Sequence, residues 1–127
     1  MSASDGRGRP DVEFTFGHDP HAPRNARRQL QILLYSHEPA AASVILAASE
    51  LVSNVVQHTN SGGVVRAWTH RPIRLEVSDT STVHDFEPAG PKATGGRGLK
   101  IIAEITERWG VSTSDDGKVV WAEFAAE

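Results

Sequence analysis

Glu50, Asn54 and His58 recur at four-residue intervals within ELVSNVVQHT, so on a helix they fall along one ridge, about a turn apart. Their neighbours are Val, Leu, Ala and Ser rather than Lys and Glu. That setting suits the floor of a cleft, where an acid, a carboxamide and an imidazole meet a ligand; a solvated helix face would carry the same ridge. A second candidate is Asp79, which closes IRLEVSD in phase with Ile73, Leu75 and Val77. If a strand runs that far, the carboxylate projects towards the covered face of its sheet and must be hydrogen-bonded there by protein, water or ligand. If the strand frays at Ser78, Asp79 caps a turn instead. The third is Gly95-Gly96-Arg97-Gly98, which opens a helical pattern. Glycines let backbone N–H groups approach a ligand, and a helix N-terminus favours an anion, phosphate first. A purely structural loop has the same composition.

These residues need elements to hold them. Val44, Ala48, Leu51 and Val55, with Ile45, Val52 and Val56 beside them, give the Glu50 helix a broad apolar face that requires a core. Before it, Phe14 and Phe16 alternate in DVEFTF as a short strand, and Asp19-Pro20 reads as the start of a helix with Ala26, Leu30, Leu33 and Leu34 on its apolar side, broken at Glu38-Pro39. Arg24, Arg27 and Arg28 lie along its exposed side, as solvated charges or as a partner contact. After the turn Asn60–Gly63, two strands follow with a tight link at His70–Pro72. Val65 and Ala67 share one face of the first, and Arg74, Glu76 and Ser78 lie opposite the apolar side of the second. Thr80–Thr94 has neither period and contains Pro88, Gly90 and Pro91, which suggests a lid or binding loop. A third helix offers Leu99, Ile102, Ala103 and Ile105 to the core and is stopped by Gly110; VSTS, Asp115-Asp116-Gly117 and KVVWAEF then form a hairpin. The order predicts an α+β two-layer sandwich, a mixed or mostly antiparallel sheet covered on one face by helices.

The bounds agree with a small regulatory or catalytic domain. A chain of 127 residues makes one domain, read as a flexible arm over 1–11 and a folded domain over 12–127. It has no cysteine, which excludes disulfides and thiolate chemistry and suits a reducing cytoplasm. No run approaches the roughly 20 apolar residues of a membrane span, and the first residues have no hydrophobic signal region. A net charge of −3 gives no footprint for direct nucleic-acid binding. The histidines and acids show no metal-protein spacing. The expected location is the cytoplasm.

Taken in order, Glu-x-x-x-Asn on a helix, Asp at a later strand end and Gly-Gly-Arg-Gly at a loop-to-helix junction resemble the Bergerat ATP-binding fold of gyrase, Hsp90, histidine kinases and MutL. The likeness is closest to the bacterial anti-sigma-factor serine/threonine kinases and their actinobacterial single-domain relatives. ELVSNVVQH resembles their N box, VSDTS the first glycine box, GGRGL the second, and ERWGV with GKVVWAEF the C-terminal segment. The resemblance extends from Val12 onward.

It implies ATP and Mg²⁺ as cofactors, with Asn54 as the metal ligand, Glu50 as the general base for the attacking hydroxyl, and Asp79 as acceptor for the adenine amino group. Gly95, Gly96 and Gly98, with the backbone around Arg97 and Leu99, would hold the phosphates. The implied partners are a sigma factor and an anti-sigma antagonist whose serine or threonine is phosphorylated, and two copies are expected to pair. Two positions depart from the family pattern. Ser81 stands where a glycine usually follows the aspartate, and Lys118-Val119 stands where a threonine usually follows the glycine of the last hairpin. Both touch the base pocket. The alternative is therefore a non-catalytic or weakly nucleotide-binding module that sequesters a sigma factor or antagonist.

Overall fold

The computed structural model describes residues 8–34, 40–70, 72–79, 95–114 and 117–124. Along the chain run β1 Val12–Phe16, α1 Ala22–Leu33, α2 Ala40–His58, β2 Gly63–Trp68, β3 Ile73–Asp79, α3 Gly95–Ile105, β4 Arg108–Ser114 and β5 Gly117–Phe124. The strands form one sheet in the order β1-β2-β3-β5-β4, every neighbouring pair antiparallel. The architecture is thus α+β, with the sheet wholly antiparallel rather than mixed. The segments 80–94 and 115–116, with Ser81 and the Glu38-Pro39 break, lie outside the described residues.

Register places the core. Val65 pairs with Val77 and Ala67 with Leu75 across β2 and β3, while Leu75 pairs with Ala122 and Val77 with Val120 across β3 and β5. Residues directly opposite share a face, so this apolar block lines one side of the sheet, where all six side chains are buried. α2 packs against it and also touches α1 and α3. Val44, Ala48, Leu51, Val52 and Val55 all join the one hydrophobic cluster. By length and composition this helix would pass for a membrane span, with a mean hydropathy of 1.4. Its apolarity is instead accounted for by contacts on several sides, as a helix in the middle of a core requires.

Local chemistry moves several boundaries. Asp19 accepts a hydrogen bond from the His21 N–H at 2.8 Å, so Asp19 and Pro20 belong to a turn and α1 begins at Ala22 with a proline in its first turn. Ala26, Leu30 and Leu34 are buried, but Leu33 faces outward beside Ile32. Ala103, expected in the core, is also exposed. α3 ends at Ile105 because the Thr106 hydroxyl and N–H both turn back to the Ile102 carbonyl, at 2.7 and 3.1 Å. Gly110 therefore stops no helix; it sits in β4 opposite Trp121, and a Cβ there would lie 2.8 Å from the indole ring. Gly63 likewise belongs to a strand, where a Cβ would collide with the Ser78 carbonyl and the Phe16 ring.

The other face of the sheet, which carries Arg74 and Glu76, also holds buried charge. Both are buried, together with Glu123 on β5. Arg74 donates to Glu76 at 3.0 Å and to Glu123 at 2.7 Å, and its guanidinium lies 4.5 Å from the Trp121 ring centroid. Arg108 closes the array from β4, donating to Glu123 at 2.7 Å. Trp68, also on this face, is 1% exposed and donates to the Gly8 carbonyl at 3.0 Å. Ahead of β1, Asp11 accepts from the Thr69 N–H at 2.7 Å. Burial pushes the Glu123 carboxyl up, but the hydrogen bonds from Arg108 and Arg74, and their charges, hold it below its ordinary value.

Two outcomes follow for stability. Arg74→Met leaves two buried carboxylates without their shared cation and is expected to cost roughly 3 kcal/mol, read from the denaturant midpoint at pH 7. Because the folded carboxyl of Glu123 titrates below its unfolded value, the stability it contributes is present above the unfolded pKa and is lost as pH falls through the lower, folded one. Glu123→Gln should accordingly flatten the acid limb of the stability curve between about pH 5 and pH 3, which a series of denaturation curves measures.

Candidate functional site

The last two turns of α2, the end of β3 and the start of β5 converge on a pocket. α2 contributes Leu51, Asn54, Val55 and His58, with Thr59 just beyond it; β3 contributes Val77 and Asp79, and β5 Lys118 and Val120. The end of α2 is tied down locally. Thr59 returns its hydroxyl and its N–H to the Val55 carbonyl, at 2.8 and 3.0 Å, and its side-chain oxygen accepts from the Ser61 N–H at 3.1 Å. Orphan carbonyls at a helix end are satisfied by such bonds, and here they fix the turn that carries Asn54 and His58.

Asp79 lies where strand parity puts it. β3 runs to Asp79, the residue is 4% exposed, and its carboxylate reaches the pocket wall. Directly opposite in the β3–β5 register is Lys118. Its ammonium stands 2.9 Å from Asp79 Oδ2, with the two side chains 12% and 1% exposed. The two form a buried ion pair across the strands. Among the described residues the rest of the wall is Leu51, Val55, Val77 and Val120, with the polar Asn54, His58 and Thr59 beside them. The lining chemistry suits a flat apolar ligand with a polar edge: Leu51, Val55, Val77 and Val120 would meet its surface and the charged pair its edge.

The expected site residues are brought together in part. Asn54 and Asp79 share the pocket. Glu50 is half-buried one turn earlier on the same ridge and is not among the pocket walls. Beside it, Ser49 is buried and accepts a hydrogen bond from Arg27 at 3.2 Å, linking α1 to α2. Gly95, Gly96, Arg97 and Gly98 form the first turn of α3, which packs on α2, and Leu99 is buried in the core. Leu99 is not among the described residues that line the pocket, and the side-chain surroundings of residues 95–98, Arg97 included, lie outside the described residues. Among the described residues no cluster of three or more His, Asp or Glu is placed to hold a metal. A hard cation at Asn54 would therefore depend on that amide oxygen together with oxygens of the ligand itself.

Lys118 is the pocket residue that the sequence presented only as a departure in a motif. Its signal was available in KVVWAEF, where Lys118, Val120, Ala122 and Phe124 share one parity. A lysine in phase with the buried side of a strand is unusual unless a carboxylate awaits it.

The profile of the histidine kinase-like ATPase domain matches residues 16–124. Among solved structures, the histidine kinase domain from Erythrobacter litoralis EL346 blue-light activated histidine kinase superposes with a TM-score of 0.53 at 20% identity, over 68% of this chain and 45% of that one. The chain thus spans less than half the length of that neighbour, and a likeness at this identity concerns the fold. No curated protein matches the sequence. Since the profile runs from the last residue of β1 to the last residue of β5, with helices, sheet and pocket between, the chain belongs to the histidine kinase-like ATPase domain family.

Proposed function

We propose that the protein is an ATP- and Mg²⁺-dependent serine/threonine kinase of the anti-sigma type, acting on an anti-sigma antagonist and binding a sigma factor, as a pair of copies in the cytoplasm. The observation that carries this reading is the meeting of Asn54 and Asp79 on one largely aliphatic pocket. Family membership implies ATP binding, and the residues suit it. The aliphatic walls would take the faces of the base, Asp79 would accept from its exocyclic amino group, and the Asn54 oxygen would hold the cation. Mg²⁺, when bound, supplies neutralisation of charge on the phosphate oxygens.

The protein's own part in transfer is small and local. Glu50, one turn from Asn54 along the ridge, would take the proton of the attacking serine or threonine hydroxyl as its oxygen bonds to the γ-phosphorus and the bond from that phosphorus to ADP breaks. The amides of Gly95 to Leu99, at the start of α3, would face the phosphates. The phosphorylated antagonist gains close to two negative charges and would change its affinity for partners accordingly. A second reading rests on Lys118, whose ammonium already contacts the Asp79 carboxylate. It describes a weakly nucleotide-binding module that sequesters a sigma factor or antagonist.

Incubation with γ-labelled ATP, Mg²⁺ and a cognate antagonist should label the antagonist. Glu50→Ala should slow labelling by at least about 100-fold, the usual contribution of a general base, while ATP affinity changes little; labelling that survives this change would refute Glu50 as base. Calorimetry separates the two readings: heat of binding below millimolar ATP with Mg²⁺ supports the kinase, and none at millimolar nucleotide supports the sequestering module.

A further inference from the structure

We infer that Lys118 is a specificity-determining residue and makes the pocket accept 6-oxo purine nucleotides alongside 6-amino ones. The inference rests on the nucleotide reading above and concerns which base the same site takes.

Two observations carry it. Asp79 and Lys118 face each other across β3 and β5 and both line the pocket. Their charged groups are 2.9 Å apart and almost wholly withdrawn from solvent. Lysine side chains near a surface ordinarily carry the ammonium out to water; this one turns inward, to the carboxylate.

A carboxylate alone is acceptor-only. It rewards the 6-amino group of adenine and meets the 6-carbonyl of hypoxanthine or guanine with repulsion and no donor. An ammonium is donor-only, and beside the carboxylate it changes what the edge can read. For adenine, Asp79 takes a proton of the 6-amino group and Lys118 donates to N1. For hypoxanthine the roles trade positions, Asp79 accepting from N1–H and Lys118 donating to O6. The two edges carry donor and acceptor in opposite order, so either base satisfies both protein groups only if the flexible Lys118 ammonium lies on one side of the Asp79 carboxylate for adenine and on the other for hypoxanthine. The ammonium also neutralises the carboxylate that would otherwise repel a carbonyl oxygen, a repulsion that grows with the burial of the group. Leu51, Val55, Val77 and Val120 meet only the flat ring and add no preference between the two bases. A site built around Asp79 and a neutral hydroxyl would lack the second donor and would discriminate sharply, because a buried polar group left unpaired is costly.

The test compares ATP with inosine triphosphate, each with Mg²⁺, by calorimetry on the full chain. The wild type should bind the two within about fivefold of each other. Lys118→Thr, with Lys118→Met as a second variant and circular dichroism confirming that each folds, should raise the ATP preference at least tenfold, mainly by weakening inosine triphosphate. A wild-type preference for ATP of a hundredfold or more overturns the inference without any variant, as does an unchanged ratio in a folded variant. Both outcomes leave the nucleotide reading intact. Binding of neither nucleotide overturns that reading and this inference with it.

Discussion

β3 is the central strand of five, and its two-residue period determines what both faces of the sheet must do. Ile73, Leu75 and Val77 are committed to the helices, so Asp79 is committed with them, and Arg74 and Glu76 are sent to the opposite side. A one-residue slip would expose the apolar set and bury the charges against α2. Each charged group on β3 has therefore acquired an opposite charge: Asp79 has Lys118, and Arg74 holds Glu76 and Glu123. The partners Lys118 and Glu123 come from β5, which makes the β3–β5 register an electrostatic match as well as a hydrogen-bonded one. Removing one member of such a pair costs more than the pair contributes, so the register is guarded from both faces.

α2 answers to the same constraint. Its apolar residues fill the space over β2, β3 and β5 while α1 and α3 flank it. The polar ridge of Glu50, Asn54 and His58 runs from a half-buried position to an exposed one. Asn54 consequently faces the space over the strand end, where the sheet has run out of aliphatic residues and ends in an acid and a lysine. A pocket forms there because two charged residues close the sheet where further Val or Leu would have filled it, and Thr59 ends the helix beside them.

Periods of two and of about four made most of this legible in the sequence. The order of elements, the inward face of β3, the place of Asp79 and the apolar stripe of α2 all follow from spacing, because burial acts on a face and a face has a period. The misplaced boundaries have a different origin. Thr106 ends α3 through bonds back to the Ile102 carbonyl, and Gly110 is set by the indole of Trp121 across β4 and β5; the first is local but ambiguous in type, and the second joins residues distant in sequence. The buried charges of the outer face were missed because alternation alone marks that side as polar. Trp68 and Trp121, both in phase with it, were the available sign that it is covered. Where Gly95 to Leu99 stand relative to a ligand is likewise beyond periodicity, since it depends on how the chain crosses from β3 to α3.

The Asp79–Lys118 pair has one further physical consequence. A buried carboxylate without a counter-charge would be held in place only by a ligand, and the empty protein would bear the cost of its desolvation. With Lys118 beside it that cost is met within the protein. On the proposed nucleotide reading the opposing effect falls on affinity, because a base would have to compete with an ammonium already 2.9 Å from Asp79 Oδ2. Stability of the empty state and strength of nucleotide binding are thus set against each other at one pair of residues, and the balance depends on whether the ammonium moves aside or joins in recognising the base.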